Sequence, residues 1–185
     1  MQWTRAQLGD EICASFADLR LSWRSESVPD LVVVHASLQN DRDDIWAHTP
    51  AAEITQMFPE VAEHYIVRGH NHFAQMRLWG ERQIISAGSV GLPMDSSDTA
   101  QYLLLDRKGS AWHATHQSLC YDHDAAVARF HDTNYLRETG PMGRLCLREL
   151  VTGTAHMVPF LRLYARWRRD GVGLNEAVER FLQAY

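Results

Sequence analysis

The sequence predicts an α/β fold that ends in a helical tail, and three observations carry that expectation. Two short apolar runs, Leu31–Val34 and residues 65–67, are rich in β-branched side chains and flanked by polar ones, the pattern of strands buried on both faces. Two later pairs of apolar stretches are joined by Gly-containing turns and read as hairpins. From Asp122 onward the apolar spacing becomes helical. The expected organisation is an α/β body over residues 1–120 with a helical tail, residues 121–185, packing on it.

In chain order, Leu8, Ile12, Phe16, Leu19 and Leu21 recur close to a helical period, so residues 6–21 are expected to form an amphipathic helix. A polar turn over residues 25–30, with Pro29 as breaker, leads into the first strand, which ends at His35-Ala36-Ser37. An Asn/Asp-rich loop follows over residues 39–44. Thr49-Pro50 then announces a helix over Ala51–Met57, with Thr49 as N-cap and Pro50 in the first helical position. Tyr65, Ile66 and Val67 form the second buried strand, ending at Arg68-Gly69-His70-Asn71-His72. Residues 73–79 and 83–86 make one hairpin across Gly80-Glu81. Residues 99–106 and 111–116 make another, turned at Arg107-Lys108-Gly109. The tail reads as helices over 122–130, 144–151 and 158–185, the last broken at Asp170-Gly171.

Composition bounds the function. Of 185 residues, 45% are hydrophobic and 22% charged, which is enough apolar surface for a core. A net charge of −5 disfavours nucleic acid as partner, because phosphate backbones demand a basic face. No run approaches the ~20 apolar residues of a membrane span. The first residues resemble neither a signal nor a transit peptide, so a cytoplasmic location is expected. Cys13, Cys120 and Cys146 are odd in number and far apart, and are expected to be small buried hydrophobes. The arginines of residues 162–169 read as a solvated helix face with Trp167 turned inward. Leu174, Val178, Phe181 and Leu182 are expected to cover the sheet.

Ten histidines are the unusual feature. In layered α/β folds the carboxyl ends of parallel strands share one edge, where ligands bind. His35 follows the first buried strand, and His70 and His72 follow the second, so three imidazoles are expected at one rim. Neutral imidazole suits zinc, iron, manganese or nickel. The i, i+2 spacing of His70 and His72 would put both rings on one side of an extended chain, with Gly69 absorbing any bend. No catalytic or substrate-binding side chain is singled out, and the other seven histidines are read as structural or surface residues.

His35-Ala36-Ser37, then Gly69-His70-Asn71-His72, then Gly88-Ser89-Val90-Gly91-Leu92-Pro93 stand in an order that resembles the C-terminal half of the calcineurin-like metallophosphoesterases. There a strand ends in His-Gly-Ser-Pro and is followed by Gly-His-Thr-His and Asn-Pro-Gly-Ser-Val-Gly-Leu-Pro. The strand through Tyr102 and Asp106, and Cys120-Tyr121-Asp122 before the tail, extend the likeness to about residue 155. Ala36, Ser86 and Ala87 depart from the pattern. The resemblance implies a four-layer α/β/β/α sandwich, of which this chain supplies mainly one half. It also implies His35 and His70 on one divalent metal, His72 on its neighbour, and hydrolysis of a phosphomonoester, phosphodiester or nucleotide by a metal-bound hydroxide. Two ions ~3.5–4 Å apart would form the complete site.

The family's Asp-x-His, Gly-Asp and Gly-Asn-His motifs have no counterpart before His35; Gly9-Asp10 falls inside the predicted helix. Three imidazoles without those carboxylates would hold at most one ion, since nothing offsets repulsion between two. The sheet would also be left with an open edge. The chain is therefore expected to be a fragment, a split-gene product or a degenerate homologue, or to be completed by a partner chain or oligomer. Two rival readings follow. One is a non-catalytic interaction module that keeps the fold. The other is a cupin-like single-metal protein, for which the usual Glu after His-x-His is missing.

Overall fold

The computed structural model describes residues 2–185. The chain divides into two compact units. One comprises Leu8–Val90 and Ala100–Leu119. The other comprises Gly91–Thr99 and Cys120–Tyr185, together with N-terminal residues up to Gln7.

The first unit is built on a five-stranded sheet. Its strands are β1 (Ser22–Trp23), β2 (Leu31–Val34), β3 (Tyr65–Arg68), β4 (Ala74–Trp79) and β5 (Arg82–Ala87), in the order β1-β2-β3-β5-β4. The inner strands β2, β3 and β5 run parallel, with Val33 opposite Val67 and Val67 opposite Ile85; β1 and β4 lie antiparallel at the two edges. Alternate residues of the inner strands face opposite layers. Val32, Val34, Ile66 and Ile84 pack with Ile45, Ile54, Phe58 and Val61, beneath helix α2 (Ala51–Met57). Leu31, Tyr65, Val67 and Ile85 pack on the other face against Leu103, Leu105, Trp112 and Ala114. Those four belong to the hairpin β6 (Ala100–Lys108) and β7 (Ala111–Leu119), a separate two-stranded sheet. The layers are thus helix, sheet and sheet, which is an α/β sandwich. This topology contains no antiparallel barrel among the described residues, so the cupin-like reading falls.

The local chemistry departs from expectation in four places. Helix α1 (Gln2–Ser15) begins earlier than predicted, is interrupted at Gly9 (φ 77°, ψ 167°), and ends in a short 3₁₀ turn, Phe16–Asp18. It buries none of its residues, so its apolar face is not a core face. Pro50, not Thr49, occupies the N-cap of α2. Thr49 is used differently, its buried hydroxyl accepting from the Trp46 N–H at 2.8 Å. The β6–β7 strands extend further than expected, and their turn is Gly109-Ser110. No cysteine is buried: Cys120 is exposed, while Cys13 and Cys146 are intermediate.

The second unit carries α3 (His123–Asp132), α4 (Tyr135–Thr139), α5 (Pro141–Thr152), α6 (Met157–Trp167) and α7 (Leu174–Ala184). Asp122 caps α3 by accepting from the Ala125 N–H at 2.8 Å, and a His123 ring nitrogen meets the Leu150 carbonyl at 3.0 Å. Val178 and Phe181 are buried within this unit. They close a core of their own with Leu145, Phe160 and Ala177, flanked by Leu174, Leu182 and Trp167. No described helix is long and apolar enough to cross a membrane.

Candidate metal centre

Parallel strands end on a common edge, and here the edge carries the candidate residues. β2 ends at Val34 and delivers His35. β3 ends at Arg68 and delivers the 69–72 turn. β5 ends at Ala87 and delivers Gly88 and Ser89. The pairing of Arg68 with Ser86 fixes the relative height of the last two.

Two of the three histidines meet directly. His35 Nε2 and His70 Nδ1 are 3.3 Å apart, with ring planes inclined at 73°. Burial, and next the adjacent His70 ring, push the His35 pKa below its ordinary value, with a smaller contribution of the same sign from His72; Asp41 pulls the other way. The balance favours neutral imidazole, the form that ligates metals. The second nitrogen of His70, Nε2, lies 3.7 Å from Asp44 Oδ1. That separation is longer than a hydrogen bond, so the carboxylate acts on the ring through charge alone. His72 is turned elsewhere, its Nδ1 lying 3.3 Å from Ser89 Oγ.

The backbone of the 69–72 turn is not the extended one expected from i, i+2 spacing. His70 and His72 both adopt positive φ, 73° and 57°, and Gly69 does not. The bend that glycine was expected to absorb is carried by the histidines themselves. Such conformations are uncommon for residues with a Cβ and persist only where the surroundings enforce them. The surroundings here are specific. Asn71, between the two histidines, is buried and donates Nδ2 to the Ile45 carbonyl at 2.9 Å. Gln75 donates to the same carbonyl at 2.5 Å. The Gly69 N–H donates to the His35 carbonyl at 2.9 Å, tying the two histidine segments together. The Asn71 Oδ1 is buried with no hydrogen-bond partner.

Arg68 secures the same rim from below. Its side chain is fully buried, yet it donates Nε to the Ala36 carbonyl at 2.9 Å and Nη2 to the Asp43 carbonyl at 2.5 Å. Burial lowers its pKa to about 10, opposed by Asp44 and Asp43, so it stays cationic at neutral pH. Ser37 shapes the same loop, its hydroxyl donating to Asp43 Oδ2 at 2.6 Å and accepting from the N–H groups of Gln39 and Asn40. Gly88, at φ 89°, lies against Gln101: a Cβ there would come 2.8 Å from the Gln101 Cβ. A Cβ added at Gly91 would meet nothing within 4 Å.

Asp44 and Arg68 were missed by sequence reasoning. The signals were present but weak: an acidic loop directly after a strand-ending histidine, and a charged residue closing an otherwise apolar strand.

A fit test follows from the donor geometry. Two nitrogens bound at ~2.05 Å in tetrahedral array stand about 3.3–3.4 Å apart. The His35–His70 separation of 3.3 Å has that span, so the pair fits one divalent ion. It does not fit two. Among the described residues, no three His, Cys, Asp or Glu side chains are gathered so as to hold a metal.

No family model matches the sequence, and no curated protein does. Solved structures do match. The chain is similar to a metallophosphoesterase from Sphaerobacter thermophilus, with a TM-score of 0.62 at 20% identity over 83% of this chain and 67% of that one. It is also similar to a hypothetical protein from Pyrococcus horikoshii OT3, with a TM-score of 0.64 at 16% identity over 83% of this chain and 59% of that one. The fold is that of the metallophosphoesterases, as the ordered motifs indicated, and the chain spans about two thirds or less of these structures' length.

Proposed function

We propose that this chain is a metal-dependent phosphoesterase unit in which His35 and His70 hold one divalent cation of the manganese, iron, zinc or nickel class. The observation that carries the proposal is the 3.3 Å approach of His35 Nε2 to His70 Nδ1 at the carboxyl edge of a metallophosphoesterase-type sheet. When bound, such an ion supplies Lewis-acid polarisation of a phosphoryl oxygen and makes water a stronger acid. The chain's own residues prepare the place. Asp44 places a carboxylate 3.7 Å from His70 Nε2, Arg68 and Asn71 hold the two histidine-bearing loops against each other, and Gly88 lets the Ser89 segment approach. His72, whose Nδ1 lies against Ser89, keeps Nε2 as the nitrogen it could offer to the metal set. The substrate is a phosphorylated small molecule or nucleotide, and a partner chain or oligomer completes the fold. A cytoplasmic location belongs to the same reading.

One observation favours a second reading, a non-catalytic module of the same fold: among the described residues two ring nitrogens converge and no carboxylate joins them at bonding distance. Hydrolysis of an aryl phosphodiester with added manganese separates the two. Turnover abolished by His70→Ala supports the enzyme. Absence of turnover in metal-loaded protein supports the module.

A further inference from the structure

Helix α6 presents two faces of different chemistry. Phe160, Leu163, Tyr164 and Trp167 turn into the core of the second unit, and the Arg180 guanidinium stands over the Trp167 ring at 5.3 Å. Val158, Leu161 and Ala165, spaced i, i+3 and i+7, share the opposite face. Val158 is 48% and Leu161 49% exposed, and Ala165 is exposed with them. At 3.6 residues per turn, Arg162 and Arg166 run along one flank of this aliphatic strip. Arg168, still helical at φ −61° and ψ −35°, runs along the other, and Arg169 follows in the turn. All four arginines are exposed, and no ion pair among the described residues engages them. Asp170 is the one acid in residues 157–171, so this stretch is strongly cationic in a chain whose net charge is −5.

We propose that the outward face of α6 docks the protein onto an anionic phospholipid surface, with the helix lying in the plane of the headgroups. An aliphatic strip flanked by cations suits that boundary. Val158, Leu161 and Ala165 enter the edge of the acyl region, while the arginines lay their stems along it and hold their guanidinium groups at the lipid phosphates. Docking is peripheral, because the 11 residues of α6 are too few to span a bilayer. Nucleic acid is the competing polyanion, and it is the poorer match. Single strands bind by stacking bases on aromatic rings. Phe160, Tyr164 and Trp167, the aromatic residues of α6, are all turned inward, and the centre of the outward face is aliphatic. The face takes nothing from the histidine rim, so it stands apart from the metal reading.

The test is co-sedimentation of the full chain with vesicles of phosphatidylcholine alone and of phosphatidylcholine with about 30% phosphatidylserine. Binding is expected on the anionic vesicles and not on the neutral ones, and it should fall as added salt shortens the Debye length. Each arginine lost is expected to weaken partitioning about fivefold, so Arg162→Gln combined with Arg166→Gln should weaken it about 25-fold. Leu161→Ser keeps the charge and removes apolar contact, and it is expected to weaken binding severalfold. These residues are exposed, so the variants should keep the wild-type thermal unfolding curve. His70→Ala should bind vesicles as the wild type does, whatever becomes of its metal. Equal binding to both vesicles, binding to neither, or indifference to the arginine pair refutes the proposal. Capture of a single-stranded oligonucleotide in place of anionic vesicles would assign the face to nucleic acid and refute it as well.

Discussion

Replacing His70 by glycine sets stability against function in one residue. His70 sits at φ 73°, where a Cβ meets the neighbouring carbonyl at a cost of about 1–2 kcal/mol relative to glycine. Glycine relieves that strain but adds about 0.5–1 kcal/mol of backbone entropy lost on folding. The remainder, centred on about 0.75 kcal/mol, is isolated by comparing His70→Gly with His70→Ala. Both variants lack the ring and its contacts with His35 and Asp44, and they differ in the backbone term. For a chain of 185 residues that difference is about 1–4 °C in melting temperature. Urea and thermal unfolding of the two variants supply the measurement, with zinc affinity followed alongside. The glycine variant is expected to be the more stable of the two, and both are expected to lose the ion. An alanine variant as stable as the glycine one would show that the turn is not strained, and the account of why it is so tightly bolted would fail.

Other perturbations probe the supports of the same rim. Arg68→Met removes the donors to the Ala36 and Asp43 carbonyls and is expected to destabilise by about 3 kcal/mol in urea unfolding; Arg68→Lys should not rescue, because one ammonium cannot span acceptors set for a guanidinium fork. Gly88→Ala forces a Cβ toward Gln101 at positive φ, so it should lower the melting temperature, and Gln101→Ala in the same chain should recover part of the loss. At Glu63, burial alone would raise the carboxyl pKa, but the Arg24 hydrogen bond outweighs it and holds the group below its ordinary value. A depressed folded-state pKa stabilises above the ordinary carboxylate value, and that contribution is lost as pH falls through the folded one. Glu63→Gln should therefore be less stable than the wild type at neutral and alkaline pH, and unfolding followed across acid pH should show the two curves converging as pH falls through the folded-state value.

The inner strands were legible in the sequence because each carries a short apolar run buried on both faces, and Val32, Ile66 and Ile84 are buried as that requires. The histidine rim was legible for the same reason: parallel strands share an edge, so whatever follows Val34 and Arg68 must meet there. Local geometry was not. Left-handed backbone at His70 and His72 is imposed by Asn71, Gln75 and the Ile45 carbonyl, which are tertiary contacts. Helix α1 misled for the opposite reason, because its apolar spacing promised a core face and Ile12 and Phe16 remain exposed. The helix α2 cap slipped by one residue because the Thr49 hydroxyl was claimed by Trp46.

The central claim is that His35 and His70 together bind one divalent cation. Isothermal titration of the metal-free chain with zinc is its most direct test. The account predicts one ion per chain in the wild type, with affinity lost in both His35→Ala and His70→Ala. Two ions per chain, no binding, or binding indifferent to both substitutions would contradict it.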